Sequence, residues 1–206
     1  MRFISIPLIA KMLYSKAKKN FPEANGKIFF TFDDGPNPEI TPQILDLLKQ
    51  FNAKATFFCL GKNVEQFPDL FERMKQEGHS VGNHTYNHIN GFSCSTPNYI
   101  EDVAKAQQFI RSPLFRPPYG KMKLSQYKNL AEDYKIILWD VMSYDFDPSL
   151  NAIECEALVK KHAKDGSIIV FHDSVKAKQN LISVLPNLLR YYSTKGFSFE
   201  PISEIN

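Results

Sequence analysis

Two adjacent carboxylates, Asp33 and Asp34, end a short apolar run and enter a Gly-Pro turn in the segment KIFFTFDDGP, Lys27 to Pro36. The isoleucine, phenylalanines and threonine of 28–32 favour a strand that Gly35-Pro36 must end, so both acids are expected at its C-terminal tip. Successive strand residues point to opposite faces, which makes the two carboxylates non-equivalent. Two imidazoles four apart follow in His84-Thr85-Tyr86-Asn87-His88. On a helical turn they would share one side, close enough to bind one ion. A carboxylate from another strand tip completes a two-His, one-Asp ligand set with an open coordination position, the mark of a catalytic metal site. The same set can hold iron for oxygen chemistry, so ligand count alone does not define the reaction.

Two further stretches carry chemistry. Arg116-Pro117-Pro118-Tyr119-Gly120 joins a permanent charge to a stiffened backbone. Its prolines remove two amide donors and leave the Tyr119 N–H presented from a rigid turn, which suits an oxyanion. His172 closes the apolar run 167–171, and a histidine held in a dry wall can act as an acid near neutral pH.

The elements that must position these groups alternate along the chain. Strand one is followed by a helix that Thr41 can cap, with Pro42 at its first position and Ile44, Leu47, Leu48 and Phe51 at helical spacing. Strands are expected at 55–60, 79–82, 114–116, 135–142 (KIILWDVM), 167–171 and 197–201. Helices are expected from an Asn63 cap to Gly78, then over 99–110, 122–132, 153–163 and 180–192, the last kinked by Pro186. Seven strands alternating with helices, without hairpin signals, predict a single α/β domain built as a parallel barrel or barrel-like closure. In such a barrel the loops leaving the strand C-termini converge. Asp33 and Asp34, His84 and His88, 116–120, Asp145, and His172-Asp173 all fall there, after five different strands.

Composition narrows the function. The 206 residues suit one domain with a single sizeable core, and 43% hydrophobic and 23% charged residues describe an ordinary globular protein. A net charge of +3 without a long basic block argues against nucleic acid as a partner. The three widely spaced cysteines Cys59, Cys94 and Cys155 fit neither a disulfide framework nor a zinc finger, so any metal site must use His and carboxylate. Residues 1–26 read as an N-terminal arm or helix. Their apolar run 4–10 is interrupted, too short to span a membrane and without an evident cleavage site, so a cytoplasmic or envelope-associated location is the expectation.

TFDDGP at 31–36, HTYNH at 84–88, RPPYG at 116–120 and VFH at 170–172 resemble four of the five ordered motifs of the polysaccharide deacetylases, carbohydrate esterase family 4 or the NodB-homology domain. The resemblance implies a deformed (β/α)7 barrel over 27–206 that removes acetyl groups from N-acetylated, or O-acetylated, sugars of peptidoglycan or chitin type. It implies one divalent ion, Zn2+ with Co2+, Ni2+ or Mn2+ as options, on Asp34, His84 and His88. It further implies Asp33 as general base, Arg116 holding Asp33, Tyr119 as the oxyanion donor and His172 as general acid. The partner would be an acetylated poly- or oligosaccharide, with no obligate protein partner evident.

The remaining motif departs from the family. Where many members place an Asp that orients the catalytic histidine, WDVMSYDF places Met142. Asp140 and Asp145 are the candidates to replace it. Asp140 starts about 6.6 Å back along the strand at 3.3 Å per residue, deeper in the barrel, whereas Asp145 has a loop with which to fold back and is favoured. Two other readings stand beside the enzyme: an inactive glycan-binding relative, and a hydrolase of small C–N substrates or an iron oxygenase.

Overall fold

The computed structural model describes residues 14–203, so the part of the expected arm before Tyr14 lies outside it. Eight strands are named in chain order: β1 Lys27–Asp33, β2 Thr56–Cys59, β3 Ser80–Asn83, β4 Leu114–Phe115, β5 Lys135–Ile136, β6 Val141–Met142, β7 Ile168–His172 and β8 Ser198–Phe199. Seven helices separate them: α1 Thr41–Gln50, α2 Gly61–Gln66, α3 Pro68–Gln76, α4 Thr96–Ile110, α5 Leu124–Asp133, α6 Ala152–His162 and α7 Lys178–Thr194. All named pairings are parallel, in the order β5-β4-β3-β2-β1-β7-β6, with β8 paired to the start of β1. The result is the expected deformed (β/α)7 architecture, a curled half-barrel.

The predicted strand 135–142 is two strands. Its first half pairs with β4 and its second with β7, so one segment supplies both ends of the curled sheet. A continuous apolar run hides this, because both halves are buried. Residues 14–26 run along that seam. Lys18 forms a parallel bridge with Ile137, Leu138 N donates to Lys18 O at 2.7 Å, and Phe21 N donates to Gly166 O at 2.8 Å. The Phe21 carbonyl stands so near Gly166 (φ +74°) that a Cβ there would lie 1.8 Å from it.

Two more expectations need correction. The helix predicted from 63 to 77 breaks into α2 and α3 at Phe67, because Pro68 cannot donate the next helical hydrogen bond and starts a new helix instead. Asn63 lies inside α2, and its Nδ2 donates to Asp34 O at 2.7 Å. Thr41 is the first residue of α1, not its cap; its hydroxyl accepts from Asn37 N and donates to Asp173 Oδ2. Pro186 sits inside a helix that continues past it to Thr194. Among the described residues no helix is long and apolar enough to cross a membrane.

The core divides into two clusters, and the strands alternate between them. Ile28, Phe30 and Phe32 of β1 join Phe57, Cys59, Ile169 and Phe171 against the helices. Phe29 joins Phe58, Ile168, Val170 and Met142 in the barrel interior. This period of two decides what faces inward at the mouth. Thr31 and Asp33 continue the line of Phe29, and His172 continues the line of Ile168 and Val170. Parallel register sets Asp33 beside His172.

Candidate active site

The strand-borne groups are buried and paired. Arg116, just past β4, is fully buried, and its guanidinium donates to Asp33 Oδ1 at 2.7 Å, Thr31 Oγ1 at 2.8 Å, and the carbonyls of Ile137 and Leu138 at 3.2 Å each. Thr31 Oγ1 in turn donates to Ile169 O at 2.8 Å. Burial pushes the Asp33 carboxyl upward, but the charges of Arg116, His84 and His172 and the Arg116 hydrogen bond outweigh it, holding it below the ordinary carboxylate value. Asp33 is therefore ionised at neutral pH, with Oδ1 tied to Arg116. Its Oδ2 lies 4.0 Å from His84 Nε2.

His172, at the end of β7, meets Asp145 from the loop after β6. Asp145 Oδ1 is 2.8 Å from His172 Nδ1, and its Oδ2 accepts from His172 N at 2.8 Å. Burial lowers the imidazole pKa, but Asp145, with Asp34 and Asp33 behind it, raises it to about 9. Nδ1 is engaged by Asp145, so the proton available to a ligand is the one on Nε2. Asp140 is elsewhere: its carboxylate accepts from Ser167 Oγ and Ile168 N at the start of β7. Met142 lies on the interior face and pairs with Val170.

The remaining groups ride on irregular backbone. Asp34 has left the strand with φ +86°, its N–H donating to Phe58 O at 3.2 Å. Gly35 is required next, since a Cβ there would stand 1.9 Å from Asp173 Oδ2. His84 and His88 are not on a helical turn, contrary to expectation. Their segment is a loop in which Thr85 (φ +67°) and His88 (φ +59°) are both left-handed, and that path brings the ring centroids to 5.2 Å.

His84 Nδ1 faces Arg116 O at 2.7 Å, which makes it the donor and leaves the Nε2 lone pair free to ligate. Burial, and the positive charge His84 carries whenever it is protonated, lower the His88 pKa to about 4 against the pull of Asp34 and Asp33, so His88 is a neutral imidazole. Asp34 Oδ1 is 3.3 Å from His88 Nε2 and 3.8 Å from His84 Nε2. One ligand atom from each of the three residues falls within 4.8 Å of the others. Tetrahedral ligands about 2.0–2.1 Å from an ion lie about 3.3–3.4 Å apart; the Asp34–His88 pair already has that spacing, and the His84–Asp34 pair is wider at 3.8 Å. Asp34 Oδ1 is also buried without a hydrogen-bond partner, a cost that a cation removes.

Tyr119 stands in a one-turn 3-10 helix, Pro118–Gly120, with φ +61°. The first N–H groups of a helix have no intrahelical acceptor, and the carbonyl three residues back, that of Arg116, is taken by His84. Tyr119 as a whole is 58% exposed, and its ring meets that of His88 edge-on at 4.7 Å. Sequence reasoning gave no role to Thr31, although the strand period aligns it with Asp33. Asn63 and Asp173 also escaped it, having no local signal of their contacts with the Asp33–Gly35 turn.

A parallel half-barrel that gathers an ionised carboxylate, a protonated imidazole and a metal-competent triad at its strand tips defines a hydrolase of the barrel type. A polysaccharide deacetylase family model matches residues 22–136. A peptidoglycan-N-acetylglucosamine deacetylase of Bacillus cereus is 36% identical over 86% of this chain and 87% of its own length. A chitooligosaccharide deacetylase of Bradyrhizobium is 29% identical over 98% of both. The crystal structure of a peptidoglycan N-acetylglucosamine deacetylase superposes with a TM-score of 0.88 at 32% identity, covering 96% of this chain and 95% of that one. The chain belongs to the polysaccharide deacetylases, carbohydrate esterase family 4 with the NodB domain, and is a hydrolase of that family.

Proposed function

We propose that the protein hydrolyses the N-acetyl group of N-acetylglucosamine in a peptidoglycan-type glycan, with a single divalent ion, Zn2+ by preference, on Asp34, His84 and His88. The observation that carries this reading is the division of Asp33: one oxygen locked to Arg116, the other at the edge of the metal triad. A peptidoglycan-N-acetylglucosamine deacetylase that aligns over 87% of its own length supports the choice of substrate. The bound ion would supply polarisation of the acetyl carbonyl and a more acidic water.

The chain's own residues do the rest. Asp33 takes the proton of the attacking water, and Arg116 keeps that carboxylate ionised and aimed. The Tyr119 N–H faces the negative charge that grows on the acetyl oxygen. His172, protonated at neutral pH and oriented by Asp145, gives its Nε2 proton to the amine nitrogen as the C–N bond breaks, leaving acetate and a free amine. Acetate release from N-acetylated and O-acetylated glycans, with and without chelator, tests this. Chelator-sensitive release from N-acetylated peptidoglycan is expected; chelator-resistant release, or none from any N-acetylated glycan, overturns it.

A further inference from the structure

The loop between the two histidines must hold two left-handed residues in place for the metal ligands to meet, and its backbone hydrogen bonds show what holds it. Thr85 N donates to Asn83 Oδ1 at 2.8 Å, within the same segment. The carbonyls of Thr85 and Tyr86 accept from Gly61 N and Lys62 N, the first amides of α2. The two central amides are left. Tyr86 N and Asn87 N both donate to one oxygen, Asp102 Oδ2, at 2.8 and 3.0 Å, and Asn87 Nδ2 donates to Asp102 Oδ1 at 2.6 Å. Asp102 lies in the middle of α4, and the next turn of that helix sets Lys105 Nζ 3.6 Å over the Tyr86 ring.

We propose that Asp102 is a positioning residue for the metal centre: by accepting both central amides of the His84–His88 loop it holds the second imidazole in register with the first. The inference rests on the metal-site reading above. Its chemistry is specific. A single side-chain oxygen, Asp102 Oδ2, accepts from two consecutive peptide groups, which a side chain without an acceptor cannot do. Asn87 is exposed and Tyr86 half-buried, so water can replace the acceptor their amides lose and the fold survives. What is lost is the orientation of His88. Outer partners of metal ligands typically govern about 10- to 100-fold in metal affinity.

The test is zinc affinity by chelator competition, with the electronic spectrum of the Co2+-loaded protein and the melting temperature in chelator alongside. Asp102→Ala, a better helix former than Asp, should bind zinc about 10- to 100-fold more weakly and alter the Co2+ spectrum, with metal-free melting little changed. Asp102→Asn keeps an oxygen for the two amides, so it should stay within about threefold of the parent. Parental zinc affinity and Co2+ spectrum in Asp102→Ala would overturn the proposal, as would equal weakening in both variants, which would mean charge rather than amide capture. Should Asp102→Ala fail to fold, Asp102→Leu, nearly isosteric and without an acceptor, takes its place under the same criteria. A parent that binds zinc no better than its His88→Ala variant would sink the metal-site reading itself, and this inference with it.

Discussion

Asp33 and Asp34 are neighbours in the chain, yet they belong to regions built by different means. Asp33, with Arg116, Thr31 and His172, occupies the inward line of a sheet. Its geometry follows from a period of two and from parallel register, and burial makes each charge need its partner. Asp34, with His84 and His88, stands on turns where three non-glycine residues, Asp34, Thr85 and His88, are left-handed. Local support is limited to the Asn83 side chain, which accepts from Thr85 N. Remote groups impose them: Asn63 on the Asp34 carbonyl, Asp173 against Gly35, and α2 and α4 around the histidine loop. The difference teaches that, on the proposed function, proton transfer falls to the rigid wall and ion binding to a rim held from outside.

The comparison can be broken most forcefully at Arg116. Arg116→Met should destabilise the fold by about 3–5 kcal/mol, because it leaves the Asp33 charge buried without its partner. Urea denaturation measures it, and a loss below about 1 kcal/mol would mean that the wall is not held by this pair. No rim substitution should approach that cost.

A smaller effect sharpens the picture on the acid side. Asp145 holds the His172 pKa up, so its removal lowers that pKa and the acid form disappears at lower pH. Asp145→Asn should therefore move the alkaline limb of the pH–rate profile down by about a unit or more. The same linkage bears on stability. A pKa raised in the folded state contributes stability that is fully present below the ordinary value of about 6.5 and is lost as pH rises through about 9. Metal-free parent protein should thus lose melting temperature between pH 7 and 10 more steeply than Asp145→Asn. Met142→Asp, smallest of the three, should leave the alkaline limb almost where it is, since the Nδ1 position is already filled. An upward move of a unit would show that Asp145 does not complete the pair.

These two regions were also unequally legible in the sequence. The apolar run 28–32 ending in acids, the strand-tip placement of all five stretches and the barrel class follow from periodicity, which the wall obeys. Asp145 was reachable by reasoning because a loop can fold back where a strand residue two places earlier cannot. The rim resisted for a physical reason. A spacing of four suggests a helical turn, whereas the histidine pair is joined by left-handed backbone that depends on Asp102, far along the chain and without a local mark. Strand 135–142 failed similarly, since no single-strand signal tells that its halves pair with opposite ends of the sheet. Pro68, by contrast, is a breaker visible in the sequence, and it starts α3.

Zinc titration and acetate release on Asp33→Asn and Asp34→Asn, side by side, test the division most directly. Asp33→Asn should take up zinc with the parent's affinity and lose about 100-fold or more of its turnover, since general base catalysis contributes about that much. Asp34→Asn should lose zinc affinity itself, with turnover recovering in part as zinc is raised. Equal loss of zinc in both variants would contradict the division between wall and rim.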